Sequence, residues 1–406
     1  MSIRELVARS FSGRDTILRT VSKSLREQSR FQLPASPHRF LCEILENEGF
    51  HVQWSHAEPA AFRAEYASSN GDEGPVVAVI CEYDSEASTR HQYCYDLIAV
   101  GGLGTALAVK DAMVENKEIA GRVAVIGCAE DGHGGAKVKL LTTGAFVDID
   151  VLAMIHPTRE GALFATTLCS ATVDVTVLGR RRCDTDLYYD MSASTMDAVV
   201  AIYNNLSLLR SHFDPAWKLS AIINKCGTPG VIPEEMAMRV LYRAHKGRHM
   251  PLLCERIVHC VHMAASSLGC SVETDTSIPY YDMWNNHALC RRFLAYTERP
   301  EELFTKDLSR EYVIAGSTDM GNVSQEIPSI QIFYSVHGRG EVAGSSVADT
   351  VLSTDGAYYR TLSCAQALAL TLLDICVDSE FLEEVRSEFQ NKRGQSLASQ
   401  TSSPML

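Results

Sequence analysis

Three continuous apolar runs, VVAVICEYD (76–84), RVAVIGCAED (122–131) and DVLAMIHP (150–157), do most to limit what this chain can fold into. Each is too short and too evenly apolar for an amphipathic helix, and each ends on acidic residues or a histidine. Such runs read as strands covered on both faces. Helical stretches separate them, residues 97–116 after the first and KVKLLTTGAF after the second. Strands alternating with helices make an α/β layer around a largely parallel sheet. In sheets of this kind functional groups gather beyond the carboxyl ends of the strands. Three loops fall there, at 84–96, 129–136 and 155–160.

The pattern changes near residue 171. ATVDVTVLG alternates with period two, as a strand with one solvated face does. A helix (STMDAVVAIYNNLSLLRSHF), two strands (KLSAIINKC and EEMAMRVLYRA), a helix near 250–268 and the strand GCSVETD follow. This βαββαβ order predicts an inserted ferredoxin-like domain. The expected division is a catalytic domain over 1–170 and 281–390, the insertion over 171–280, and a polar, Ser-rich, disordered tail over 391–406. Residues 15–50 read as helical, with Gly49 as the stop.

A formal net charge of −13 argues against a nucleic-acid or anionic-membrane partner, because neutralising phosphate requires a basic surface. No apolar run reaches the eighteen or so residues of a membrane span. The N-terminus lacks the apolar core of a signal peptide, although its Arg and Ser leave a transit peptide open. Thirteen cysteines, an odd number without framework spacing, fit a reducing, cytoplasmic setting. GHGGAK has glycine spacing that fits neither nucleotide fingerprint.

With these loops in view, the chain resembles the family-20 metallopeptidases, in particular the aminoacylase- and hippurate-hydrolase-like amidohydrolases and their peptidase-domain-containing eukaryotic relatives. EYD followed by LIAVGGLGTALA matches the family's first metal loop. VIGCAEDGHGGAKVKLLTTGAFVDIDVLAMIHP matches the second and third, RVLYRA a lid strand, and GSTDMGNVS a late active-site loop. The resemblance spans roughly residues 40 to 375. It implies a zinc-exopeptidase-like α/β catalytic domain with the insertion as a lid, and a homodimer formed through that lid.

The resemblance also implies a site. Family members hold two metal ions, and their first loop usually reads H-A-C-G-H, with the cysteine and second histidine as ligands. Aligned without a gap on LIA, this chain reads His91-Gln92-Tyr93-Cys94-Tyr95. Tyr93 and Tyr95 therefore stand at ligand positions, and neutral phenols, with a pKa of about 10, are poor zinc ligands. Glu130 matches the general base, and Asp131 and His156 match ligands. The last ligand position falls near Gly344, and a lid histidine falls at Cys183. Asp84, Asp319 and Asn322 lie in matched motifs and, with Asp131, His156 and Cys183, are candidate substrate contacts. A one-residue slip would instead offer Cys94 as a thiolate ligand, assisted by His91, Asp96 or His133.

Two persisting ligands of five lead to the expectation of no metal and no other cofactor, the alternative being residual zinc or manganese at Asp131 and His156. The expected function is a repurposed, metal-independent enzyme acting on a small amino-acid-derived or carbonyl substrate. Glu130 would move protons while Tyr93 and Tyr95 polarise a carbonyl, in a condensation, cyclisation or isomerisation of specialised metabolism. One alternative is an inactive family member that binds or regulates. The other is a metallo-amidohydrolase of N-acyl amino acids or dipeptides with rearranged ligands.

Overall fold

A computed structural model describes residues 1–31, 36–55, 60–84, 95–130, 135–179, 182–183, 194–226, 231–337 and 354–401. The first run of elements is α1 (Ile3–Phe31), α2 (Pro37–Asn47), β1 (His51–Trp54), β2 (Ala61–Ala67), β3 (Val76–Asp84), α3 (Tyr95–Glu115), β4 (Arg122–Glu130), α4 (Ala136–Thr142), β5 (Val151–Thr158) and β6 (Ala165–Thr167). The middle run is β7 (Cys169–Leu178), β8 (Arg182–Cys183), α5 (Thr195–Leu209), β9 (Lys218–Lys225), β10 (Val231–Ile232), β11 (Glu235–Ala244), α6 (Met250–Ser266) and β12 (Ser271–Thr276). Then come α7 (His287–Tyr296), α8 (Pro300–Leu303), β13 (Tyr312–Ile314), α9 (Met320–Ser324), β14 (Ser329–Ser335), α10 (Asp355–Val377) and α11 (Ser379–Thr401). The chain divides into two units, one of residues 1–166, 283–313 and 322–406, the other of 167–282 and 314–321.

The first unit is built on a six-stranded sheet in the order β1-β2-β4-β3-β5-β14. The pairs β4–β3, β3–β5 and β5–β14 are parallel, while β2–β4 and β1–β2 are antiparallel. The sheet is thus mainly parallel with an antiparallel edge, the α/β architecture that the apolar runs require. Val77, Val79, Cys81 and Tyr83 of β3 enter one core with α1, α3 and α10. Helix α3 has no polar face because it is buried almost all round. The GGLG in its middle permits that: a Cβ at Gly102 would stand 2.5 Å from the Ile80 carbonyl oxygen. By length and composition α3 and α10 could each cross a membrane, yet 83% and 72% of their apolar windows are buried inside the protein. They are core helices.

The second unit holds a four-stranded antiparallel sheet in the order β12-β7-β11-β9. With α5 and α6 between its strands, the chain follows the βαββαβ path. Strands β7 and β11 alternate buried and half-buried residues, so the inner face packs with α5 and α6 while the other stays solvated. Residues 314–321 join this unit through Leu168, whose N–H reaches the carbonyls of Ile314 and Gly316, and through Arg243, which donates to Ala315 and Ser317.

Two expectations about the ends of the chain need correction. Residues 391–401, expected as part of a disordered tail, are helical, since α11 runs through them to Thr401. Phe381, Val385 and Phe389 bury the helix, and beyond them Gln, Lys, Arg, Leu and Ala continue the turn without a breaker stronger than Gly394. At the other end, helix begins at Ile3, well before residue 15.

Candidate active site

Strands β3 and β4 stay in register to their last residues, where Asp84 is paired with Glu130. Pairing between β3 and β5, in contrast, runs only from Val77 with Val151 to Val79 with Ala153. Beyond that point β5 pairs on its other side with β14, His156 opposite Phe333. The carboxyl ends of β3 and β5 therefore part, and titratable side chains come together there.

His156 is one of them. Its Nδ1 lies 2.9 Å from the carbonyl oxygen of Pro157. A carbonyl only accepts, so Nδ1 carries the proton and the Nε2 lone pair is left for a metal or a donor. Burial pushes the imidazole pKa down; the nearby Glu82 carboxylate pulls it up and the Lys137 ammonium pushes it down. The ring is therefore held neutral, and Phe333 packs 5.8 Å from it.

Glu82 and Lys137 are the residues that sequence reasoning missed. Lys137 Nζ lies 2.8 Å from Glu82 Oε2, and the two residues are only 2% and 7% exposed. Cys81 and Tyr83, on either side of Glu82, belong to the α3 core, which leaves Glu82 for the opposite face and α4. A glutamate inside a strand otherwise made of Val, Ile and Cys was the available signal.

The expected site residues fall as follows. Glu130 and Asp84 close β4 and β3, and Cys183 closes β8 opposite Val231 of β10. Tyr93 and Asp131 lie outside the described residues, as do Cys94, His91, His133 and Gly344. Tyr95 is the first residue of α3 and is buried. Asp96 is committed elsewhere, since it accepts from Ser22 Oγ and Arg26 Nη2, each at 2.7 Å, and so ties α1 to the start of α3. Asp319 is buried in the second unit and Asn322 in the first, and each has partners. The structure thus brings Glu130, Asp84 and His156 to neighbouring strand ends. A cavity of about 630 Å³ under α1, α8 and α10 contains none of these residues.

Among the described residues no three His, Cys, Asp or Glu side chains are grouped to hold a metal ion. What the described part does contain fits one: a neutral, half-buried histidine with Nδ1 fixed on a carbonyl is the usual form of a histidine ligand.

Parallel strands that end near carboxylates and such a histidine are the setting in which the comparisons with known proteins are read. No protein-family model matches the chain. It is 32% identical to the mouse Xaa-Arg dipeptidase over 353 residues, which cover 84% of this chain and 80% of that protein. It is 23% identical to a p-aminobenzoyl-glutamate hydrolase chain of Escherichia coli, covering 86% of this chain and 87% of that one. Among solved structures, a dinuclear metal-binding peptidase of the M20 family from Bacillus subtilis superposes with a TM-score of 0.54 at 14% identity, over 85% of this chain and 98% of that one. The chain belongs to the M20 peptidase family, alongside the Xaa-Arg dipeptidases.

Family membership overturns the expectation of no metal cofactor, because the solved M20 relative is a dinuclear metal-binding peptidase. That expectation weighed Tyr93 and Tyr95 as lost ligands and gave no weight to the state of His156. The metal-free condensation, cyclisation or isomerisation finds no support either, since these relatives are hydrolases.

Proposed function

We propose that the protein is a metal-dependent amidohydrolase that cleaves the amide bond of a dipeptide or an N-acyl amino acid. The observation that carries this reading is the 32% identity to a dipeptidase over 84% of the chain. The alignment extends across the strand ends where Glu130 and His156 sit.

In this reading His156 Nε2 is one ligand, and Asp131 with residues of the 85–94 segment supplies others. An ion held there would supply Lewis acidity, which lowers the pKa of water from about 15.7 to about 7. Glu130 takes a proton from the attacking water as the C–O bond forms. It returns that proton to the amide nitrogen as the C–N bond breaks and the amine leaves. Tyr95 and Tyr93, at two of the family's ligand positions, donate to the developing oxyanion.

The protein acts as a homodimer through the second unit. Met196, Val200, Tyr203 and Leu208 leave an exposed apolar stripe on α5, and Ile222 and Ile223 are exposed on the edge strand β9. Unpaired edges and apolar stripes favour a second copy of the same surface. Eleven free cysteines among the described residues support a reducing, cytoplasmic setting.

The test is a panel of Xaa-Arg dipeptides, other dipeptides, N-acyl amino acids and p-aminobenzoyl-glutamate, incubated with the zinc- or manganese-supplemented protein and followed by mass spectrometry. Cleavage of at least one class, lost in Glu130→Gln, is the expected result. A panel left intact refutes the proposal.

A further inference from the structure

The cavity under α1, α8 and α10 takes no part in the strand-end site, yet its volume of about 630 Å³ lies within the range of small-molecule pockets. All of its walls belong to the first unit. Phe11 of α1, Leu303 of α8 and Leu362 of α10 give it an apolar lining, and each is buried in the core behind it. An apolar body seated there leaves water for those side chains, which favours binding without regard to direction. Direction has to come from the charges.

Five charged residues line the cavity, and three of them are already neutralised. Arg299 Nη1 donates to Glu302 Oε1 at 3.0 Å, and Asp15 accepts from Arg19 Nε at 2.9 Å. Glu298 and Arg360 remain. The Glu298 carboxylate, between α7 and α8, is exposed and has no partner among the described residues. Arg360, on α10, donates Nη1 to the Val336 carbonyl at 3.0 Å, its Nε is shut from water without a partner, and no carboxylate among the described residues meets it. A half-buried guanidinium without an anion lacks the planar acceptor that its fork of donors matches. Gly356 keeps space beside this group, since a Cβ there would stand 3.2 Å from Arg360 Nη1. Its backbone is not in the left-handed region, so conformation does not account for the glycine.

We propose that this cavity binds a free amino acid with an apolar side chain, its carboxylate on Arg360, its ammonium toward Glu298 and its side chain on Phe11, Leu303 and Leu362. The two charges stand on different walls, one on α10 and one on the connection before α8. A single molecule that carries both signs answers them together, where two separate ions would each lose their own freedom of motion. The site lies apart from the amide chemistry and does not rest on the hydrolase reading.

The experiment is titration calorimetry of the full chain with L-phenylalanine, which has no amide to cleave. Phenethylamine and 3-phenylpropionate serve as probes lacking the carboxylate and the ammonium in turn. L-Phenylalanine should bind with a Kd of about 1 mM or tighter, and each half-probe about tenfold or more weakly than that. E298Q, at an exposed position, should weaken L-phenylalanine by about tenfold and leave 3-phenylpropionate as it was. Gly356→Ala should weaken both by crowding Arg360, while the unfolding temperature holds or rises. H156A should bind L-phenylalanine as wild type does, which separates the cavity from the strand ends. Absence of binding overturns the proposal, as does a phenethylamine affinity equal to that of L-phenylalanine. Binding that survives E298Q unchanged, or that disappears in H156A, overturns it too.

Discussion

Gly127 sits in the middle of β4, directly opposite Phe62 of the antiparallel strand β2. A Cβ built there would lie 2.0 Å from Phe62 Cε1, 2.2 Å from Cζ and 2.4 Å from Cδ1. The ring would have to retreat by more than an ångström, and it has nowhere to go. Phe62 is fully buried, stacked on Tyr83 at 6.2 Å and met edge-on by His38 at 5.7 Å. Tyr83 is itself tied down, because its hydroxyl donates to the Ala60 carbonyl. Forcing a methyl into such a place costs about 3 kcal/mol, the upper end of overpacking. Relief of the glycine's conformational entropy returns about 0.5–1 kcal/mol. The net loss for Gly127→Ala is then about 2 kcal/mol, which for a unit of this size lowers the unfolding temperature by about 4 °C. Scanning calorimetry reads the shift, and Phe62→Leu in the same chain should recover part of it by vacating the ring's place. An unchanged or raised unfolding temperature in Gly127→Ala refutes the packing argument.

Other substitutions test other parts of the account. Gly394 stands exposed inside α11 with nothing within 4 Å of an added Cβ, so Gly394→Ala should stabilise by about 0.5–1 kcal/mol in urea unfolding. If α11 were not helical, no gain would be seen. Asp96→Ala removes the acceptor of Ser22 and Arg26 at the start of α3 and should cost about 2 kcal/mol, less than a fully enclosed pair because Arg26 is partly exposed. His38 has a pKa lowered mainly by burial, so the unfolded chain binds its proton first as pH falls. Stability contributed by neutral His38 is complete above its unfolded pKa of about 6.5 and is lost as pH drops below it toward the lower folded value. His38→Gln should therefore flatten the pH dependence of urea unfolding between pH 6.5 and 5, and an equal slope in both proteins contradicts the burial.

Much of this architecture is legible in the sequence because apolar pattern and period carry it. VVAVICEYD, RVAVIGCAED and DVLAMIHP announce strands covered on both faces, and the change to alternation at ATVDVTVLG announces a sheet with a wet side. Position within the site was legible too, since Asp84 and Glu130 end β3 and β4, and His156 stands two residues before the end of β5, in the same sheet. What pattern does not encode is pairing at a distance. Glu82 reads as the polar close of an apolar run, and Lys137 as one lysine of a helix start; only the fold puts them 2.8 Å apart. The C-terminal helix was hidden for the opposite reason, because serine and glutamine look like tail until Phe381 and Val385 are seen to bury it. The metal was misjudged by counting ligand letters at five positions. A ligand's competence depends on its tautomer and burial, and for His156 those are set by Pro157 and the sheet around it.

The central claim is metal-dependent hydrolysis of an amide, and one titration tests it most directly. Protein stripped with a chelator is supplied with increasing zinc or manganese, and the amine released from the dipeptide or N-acyl amino acid that it cleaves is measured beside the bound metal. The account predicts no release from the stripped protein, release that rises with bound metal, and loss of that release in His156→Ala together with weaker metal binding. Release by the stripped protein at the full rate, or metal bound equally well by His156→Ala, contradicts it.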